Sequence, residues 1–512
     1  MNRIETGRPV LGRRAFLMGT AAIGGALMAG ARLPAALAAS PPLLRVETRT
    51  LEVNKKAATV FSISNRNGKN GIIAAEGDRF KSHLLNASKD PLIMHWHGQV
   101  LAANDQDRAR PRGGELAPAA SDDHDFELTP GTHWMHSHSL TEQQLLAAPM
   151  VAVEKDAGDA QDVVIMLHDF AFRTPQEILA ELVGPGAGGG HGSGAPPAGA
   201  RTEMPKGTGM GPGMMMGHGG MGPGMMMGPG GMGQGGPMTG MMMGAVHAND
   251  VRYDAFLAND RTLDDPEVVR VEKGGRVRLR IINGGTATVF FISTGALKST
   301  CIAVDGSPCQ PVEAGQYPLA QGQRIDLVVE IPKGGGTFPV LAQVEDDPRQ
   351  TGLILATAGA AVAKISGNAK DKAAMAGLGF EQRLRAAKPL DVRKPDKTFR
   401  AMLGEQPGYR WSINGRIHGE HEPFNVKLGE RVEITFMNPT SMMHPMHLHG
   451  HHFQVVAAGG ARFSGPMRDT VIVPAHAPVT VAFDAKLKGS WFLHCHHLYH
   501  MAGGMMTEVT IS

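Results

Sequence analysis

The sequence predicts an all-β chain of Greek-key β-sandwiches, on three observations. Short apolar runs of strand length alternate with turn residues along most of the 512 residues, the pattern of stacked sheets. Few stretches carry a helical period. Histidines recur in pairs two residues apart, and on a strand such a pair shares one face. At roughly 150 residues per domain, the length gives about three domains. Lys and Arg total 50 against 48 Asp and Glu. That near balance implies neither nucleic acid nor an anionic surface as a partner.

Residues 1–39 read as a twin-arginine signal peptide. Arg13-Arg14-Ala15-Phe16-Leu17 precedes an apolar run from Ala21 to Ala29, and Ala36-Leu37-Ala38 fits a signal peptidase site. The run is short for a span of about 20 residues, so removal is expected rather than anchoring. No later segment has the look of a membrane span. The expected location is periplasmic.

A first domain is expected over 43–157. It holds strand runs at Thr59–Ile63 and Gly71–Ala74, then Pro91–His97 and Trp134–His138. A second is expected over 162–365, opening on the apolar run VVIML and resuming with Val277–Ile282, Arg324–Ile331 and Thr337–Val344. It offers no ligand set, so a scaffold role is expected. Cys301 and Cys309 flank the turn residues Asp305-Gly306, as facing hairpin positions do. Export permits a disulfide there; the other reading is two buried thiols.

The insert 184–245 within the second domain is almost all Gly, Pro and Met, with Met-Met-Met runs starting at Met214, Met225 and Met241. That composition cannot bury a core and is expected to be disordered. A plain linker would use Ser or charged residues. Thioethers select Cu(I), and His191, His218 and His247 add imidazoles, so copper capture is favoured over a simple linker. A polar linker at 366–397 leads to a third domain at 398–512.

The chemistry concentrates in four stretches. In the last, HCHHLYHMAGGMM, Cys495 points to one face of a strand while His494 and His496 point to the other. One strand can then serve two metal sites. After a turn, His500 and Met505 can return to the Cys495 side. Two His, one Cys and a weak axial Met are blue-copper ligands. The alternative is a His-rich tail with Cys495 as a small buried apolar residue. In HPMHLHGHH, His447 and His449 share a face and His444 faces away from them. The pairs His95/His97 and His136/His138 complete the set. Any one pair is a weak signal, but four together with the Cys are not.

These stretches, HWHG, HSH, HPMHLHG and HCHHLYHMAGGM, resemble the motifs of the multicopper oxidases, and the Met-Met before HPMHLHG is most similar to bacterial copper-resistance oxidases. The resemblance implies three cupredoxin domains, the first and third sharing a trinuclear cluster. It implies four copper ions, one type 1, one type 2 and two type 3. His444, Cys495, His500 and Met505 would bind the type 1 ion, and His95 and His447 the type 2 ion. His97, His136 and His496 would hold one type 3 ion, and His138, His449 and His494 the other.

The implied catalytic path runs from a reductant to Cys495, through His494 and His496, to O2, which becomes water. The reductant is expected to be Cu(I), with phenols as a side activity reached at the His444 edge. The alternatives are a laccase-like oxidase of organic reductants and a copper-sequestering protein with incidental oxidase activity. Two departures from the family stand out. The segment holding Asp105 and Asp107 lacks the usual Asp-Gly-x-Pro, which argues against an acid role for either. Met501 occupies a place where some relatives carry an acid, so the proton donor is not visible.

Overall fold

Among the described residues, six β-sheets follow one another in three pairs. The structure, a computed structural model, describes residues 43–184 and 248–512. The expected signal peptide and the Met-rich insert beyond Gly184, with its predicted disorder, lie outside the described residues.

The first pair has two four-stranded sheets between Leu43 and Val153. The second has six and five strands between Gln161 and Ala356, and the third seven and five between Lys397 and Ile511. Sheet neighbours are often distant in sequence, so the chain repeatedly crosses from one sheet to the other. Each pair encloses its own apolar core: Phe61, Phe80 and Trp96 in the first, Leu279, Phe290 and Leu327 in the second, Phe436, Phe453 and Phe483 in the third. The chain is all-β, with three sandwiches.

Alternating burial explains why these runs became strands. Arg79–Asn86 buries every second residue, Phe80, Ser82, Leu84 and Asn86, and exposes or half-exposes the others. Met94–His97 and Gly131–Ser137 are buried throughout, as strands packed on both faces must be.

Two features tie the sandwiches together around the site. Arg278 and Arg280 of the second meet Glu154 of the first, Asp326 and Asp162, so buried guanidinium groups have charged partners. The short helix Leu498–Ala502 places Leu498 and Tyr499 in the second core although it belongs to the tail of the third. A helix at Pro175–Val183, capped by Thr174 and Glu177 in a reciprocal box, leads to the start of the insert. Cys301 and Cys309 are buried free thiols with sulfurs 3.8 Å apart.

Candidate metal centre

Register aligns the histidine motifs. In the first sandwich the strands Met94–His97 and Gly131–Ser137 pair antiparallel with His95 opposite His136. In the third, His444–Leu448 pairs with Gly489–Cys495, setting His447 opposite His494 and Met446 opposite Cys495. Side-chain alternation then sends His447, His449, His494 and His496 to one side and His444 and Cys495 to the other.

On the first side, eight imidazoles from two sandwiches meet. His95 Nε2 lies 3.2 Å from His447 Nε2, and His97 Nδ1 3.4 Å from His136 Nε2. His494 Nε2 lies 3.2 Å from His138 Nε2 and 3.0 Å from His449 Nε2. Groups whose ligand atoms are close enough to hold a metal ion include His95, His97 and His447; His97, His136 and His496; His138, His449 and His494; and His95, Asp107 and His449.

The opposite nitrogens of these rings are fixed. His447 Nδ1 donates to the Asp469 carbonyl, His449 Nδ1 to the Ala109 carbonyl and His494 Nδ1 to the Cys495 carbonyl, each at 2.9 Å. His136 Nδ1 lies 3.0 Å from Glu142 Oε2. His97 is reversed: its Nε2 meets Asp469 Oδ1 at 3.0 Å and Nδ1 faces the group. Such partners fix tautomer and ring orientation, as they do around metal-bound imidazoles. Burial is the main force holding these rings neutral: it lowers His95, His97, His138, His449, His494 and His496 well below the usual imidazole range, and His447 to about 4. A neutral imidazole is the ligand form. His496 Nε2 is buried with no hydrogen-bond partner, an orphaned donor atom that a metal ion would satisfy.

On the second side, Cys495 Sγ lies 3.6 Å from His444 Nδ1 and 3.7 Å from His500 Nδ1, and the two nitrogens are 3.2 Å apart. His444 Nε2 lies 2.8 Å from Thr440 Oγ1. The Trp411 ring stacks on His500 at 3.9 Å. Met505 is fully buried, and its backbone binds both neighbours: its N–H donates to His500 O and its carbonyl accepts from Cys495 N–H. Desolvation pushes the Cys495 thiol up, so only a bound cation makes it a thiolate. The donor set fits one soft ion of the blue-copper kind.

Acids that the sequence analysis did not assign to the site complete it. Asp107 Oδ2 lies 2.6 Å from His95 Nδ1, and desolvation raises its carboxyl well above the usual range. Asp107 was set aside for departing from a family segment; its place on the loop after the first His pair was the signal. Asp469 receives a two-pronged bond from Arg324 at 2.7 and 2.6 Å. The second sandwich is therefore more than the scaffold expected of it, since its Arg324 holds an acid against the imidazoles. It also sends Asp250 to the Cys495 side, where Oδ2 accepts from Tyr409 at 2.5 Å and lies 3.7 Å from His500 Nε2.

The substrate edge expected at His444 is fully buried with its outer nitrogen at Thr440, and His500 is fully buried as well. Asp250 lines a cavity of about 320 Å³ with Arg173, Ile178, Leu182 and Arg252.

Three family models described as multicopper oxidase match residues 45–157, 233–362 and 392–512. The chain belongs to the multicopper oxidases. As a multicopper oxidase it is an oxidoreductase that uses copper. It is 29% identical to multicopper oxidase MmcO of Mycobacterium tuberculosis, over 86% of this chain and 80% of that protein. It is 25% identical to copper resistance protein A of Escherichia coli, over 85% and 86%. Its fold matches the laccase of Botrytis aclada with a TM-score of 0.66 at 20% identity, covering 91% of this chain and 87% of that one. No helix among the described residues is long and apolar enough to cross a membrane.

Proposed function

We propose that this multicopper oxidase is a cuprous oxidase serving copper tolerance after export by the twin-arginine route to the periplasm. The observation that carries the reading is the division of one strand: Cys495 on one face with His444 and His500, His494 and His496 on the other with six further imidazoles. Four ions are the reading's copper complement. The type 1 ligands are His444, Cys495, His500 and Met505, and the type 2 ligands His95 and His447. One type 3 set is His97, His136 and His496, and the other is His138, His449 and His494. The domain limits 43–157, 162–365 and 398–512 belong to the same reading.

Bound copper supplies one-electron oxidation at the Cys495 side and four-electron reduction of O2 to water at the histidine cluster. The chain does the rest. Asp250, which lines the cavity and lies 3.7 Å from His500 Nε2, presents a carboxylate where a cation would approach the type 1 ligands. Cys495 is covalently continuous with His494 and His496, so the two ligand sets are joined by a bonded path of neighbouring residues. Desolvation raises the Asp107 carboxyl well above its usual range, 2.6 Å from His95 Nδ1, which suits it to take up and pass protons where O2 reduction consumes them.

Cu(I) as substrate is supported by the Met-rich insert in the sequence, by the position of Asp250 and by likeness to copper resistance protein A. The cavity beside Asp250 favours a second reading, a laccase-like oxidase, because it has room for a small organic reductant. Deleting residues 185–244 separates them. Cu(I) oxidation at low Cu(I) is expected to fall while oxidation of bulky phenols holds or rises, measured on the same copper-loaded preparations. Unchanged Cu(I) turnover would leave the insert a linker and remove the best support for the cuprous reading.

A further inference from the structure

The hairpin Ser299–Glu313 lies in the second sandwich and carries two features that the oxidase reading does not use. Its turn pairs Val304 with Ser307 around Asp305 and Gly306, both with positive φ, at 48° and 75°. That is a two-residue turn matched to the strand twist. A Cβ on Gly306 would sit 2.3 Å from the His133 ring, so the turn is pressed against the first sandwich. Asp305 Oδ1 accepts from Arg324 N–H at 2.9 Å, and Oδ2 from Thr470 N–H at 3.3 Å, with Arg468 Nη1 at 3.2 Å. Arg324 in turn grips Asp469, whose Oδ1 meets His97 Nε2. The hairpin tip is thus three contacts from an imidazole of the cluster.

The second feature is the thiol pair. Cys301 and Cys309 lie on the two strands of the hairpin out of direct register, Cys301 opposing Val312 beside a bulge, yet their sulfurs are 3.8 Å apart, in van der Waals contact. Both belong to the apolar core of the second sandwich. Arg468 stands near them, but Glu381 and Asp305 already neutralise it. A Cu(I) ion held by both thiolates would leave one net negative charge in that core, whereas a disulfide is neutral. Cys309 lies one residue from the exposed Pro308 and Gln310, so the pair sits close to the surface. Mutual hydrogen bonding lowers the Cys309 thiol and raises Cys301, which makes Cys309 the first to ionise.

We propose that Cys301 and Cys309 are oxidised by cupric ion to a disulfide that staples the hairpin and stiffens its hold on Asp469 and His97. The S–S bond forms as both S–H bonds break. Two Cu(II) ions each take one electron and become Cu(I), and two protons pass to water. The proposed oxidase activity supplies the oxidant in place, and this is the one point at which the staple rests on that reading. Closing a loop inside one hairpin restricts the alternatives open to its turn.

The test begins with the copper-loaded full chain, denatured in acid, alkylated and mapped by mass spectrometry before and after reduction. The expected result is a Cys301–Cys309 bridge in protein exposed to Cu(II), and alkylation of both in protein prepared reduced without copper. Adding Cu(II) chloride directly to reduced protein makes the result independent of the oxidase reading. Bridge formation should then release Cu(I) to a colorimetric chelator, two ions per bridge. Two alkylated thiols after excess Cu(II), or copper retained on unbridged sulfurs, would overturn the proposal. The variant Cys301→Ala with Cys309→Ala reads the consequence. Copper of its histidine cluster, measured as metal content, should be lost to a chelator several-fold faster than in bridged protein, with the blue band unchanged. Equal loss rates would remove the link to His97.

Discussion

The two faces of the strand Gly489–Cys495 sit in differently built surroundings. The Cys495 face takes its nitrogen and sulfur donors from one sandwich and its tail, His444, His500 and Met505, with few polar supports: Thr440 at one ring and Asp250 near the other. The histidine face joins two sandwiches, and its supports are dense, with backbone carbonyls at His447, His449 and His494 and carboxylates at His95, His97 and His136. The difference follows from the donors. A thiolate binds a soft ion through its own covalency and needs a dry, apolar wall, which Trp411 and Met505 provide. Neutral imidazoles need their second nitrogen anchored before they converge, and a cluster that reduces O2 also needs a held proton.

The largest effect should come from breaking the histidine face alone. His447→Ala should drop O2 consumption to background and remove the type 2 signal in electron paramagnetic resonance, while the blue band remains and still bleaches with substrate. Loss of the blue band with survival of the type 2 signal would mean that the faces are assigned the wrong way round.

Asp107→Asn keeps the shape beside His95 but removes the ionisable carboxyl. Steady-state O2 reduction should fall about 10²–10⁴-fold, the usual range for losing a positioned acid. Anaerobic bleaching of the blue band should keep its wild-type rate, because no proton is needed at Cys495. If bleaching slows equally, Asp107 acts through the structure rather than through proton supply.

The smallest effect belongs to the Cys495 face. Met505→Leu should keep the blue site and raise its potential, because a weak axial thioether tunes potential without holding the ion. Redox titration reads this directly. An unchanged potential would point to Met506 in place of Met505.

The faces themselves were legible in the sequence because strand alternation acts between neighbours: His494, Cys495 and His496 need only a period of two. The supports were not, because they depend on tertiary contact. Asp469 meets His97 across 372 positions and Arg324 across 145, separations at which no local pattern operates. The burial of His444 was out of reach for a related reason. Its face followed from spacing, but its contact with Thr440 depends on how the loop before the strand folds. Asp107 lies only 12 residues from His95 and was the most recoverable miss. Comparison with a family segment outweighed the simpler fact of an acid just beyond a histidine pair. The strand Thr337–Val344, by contrast, has the predicted limits, since its turn residues bound it on both sides.

The central claim, that one strand serves two independent metal sites, is tested most directly by copper content and electron paramagnetic resonance on Cys495→Ser. A hydroxyl cannot replace the soft thiolate, while His494 and His496 keep their partners on the other face. The variant should lose the blue absorption, its type 1 signal and all turnover, and retain the type 2 signal with the cluster's copper. A variant that keeps its blue absorption, or one that loses all of its copper at once, would contradict the account.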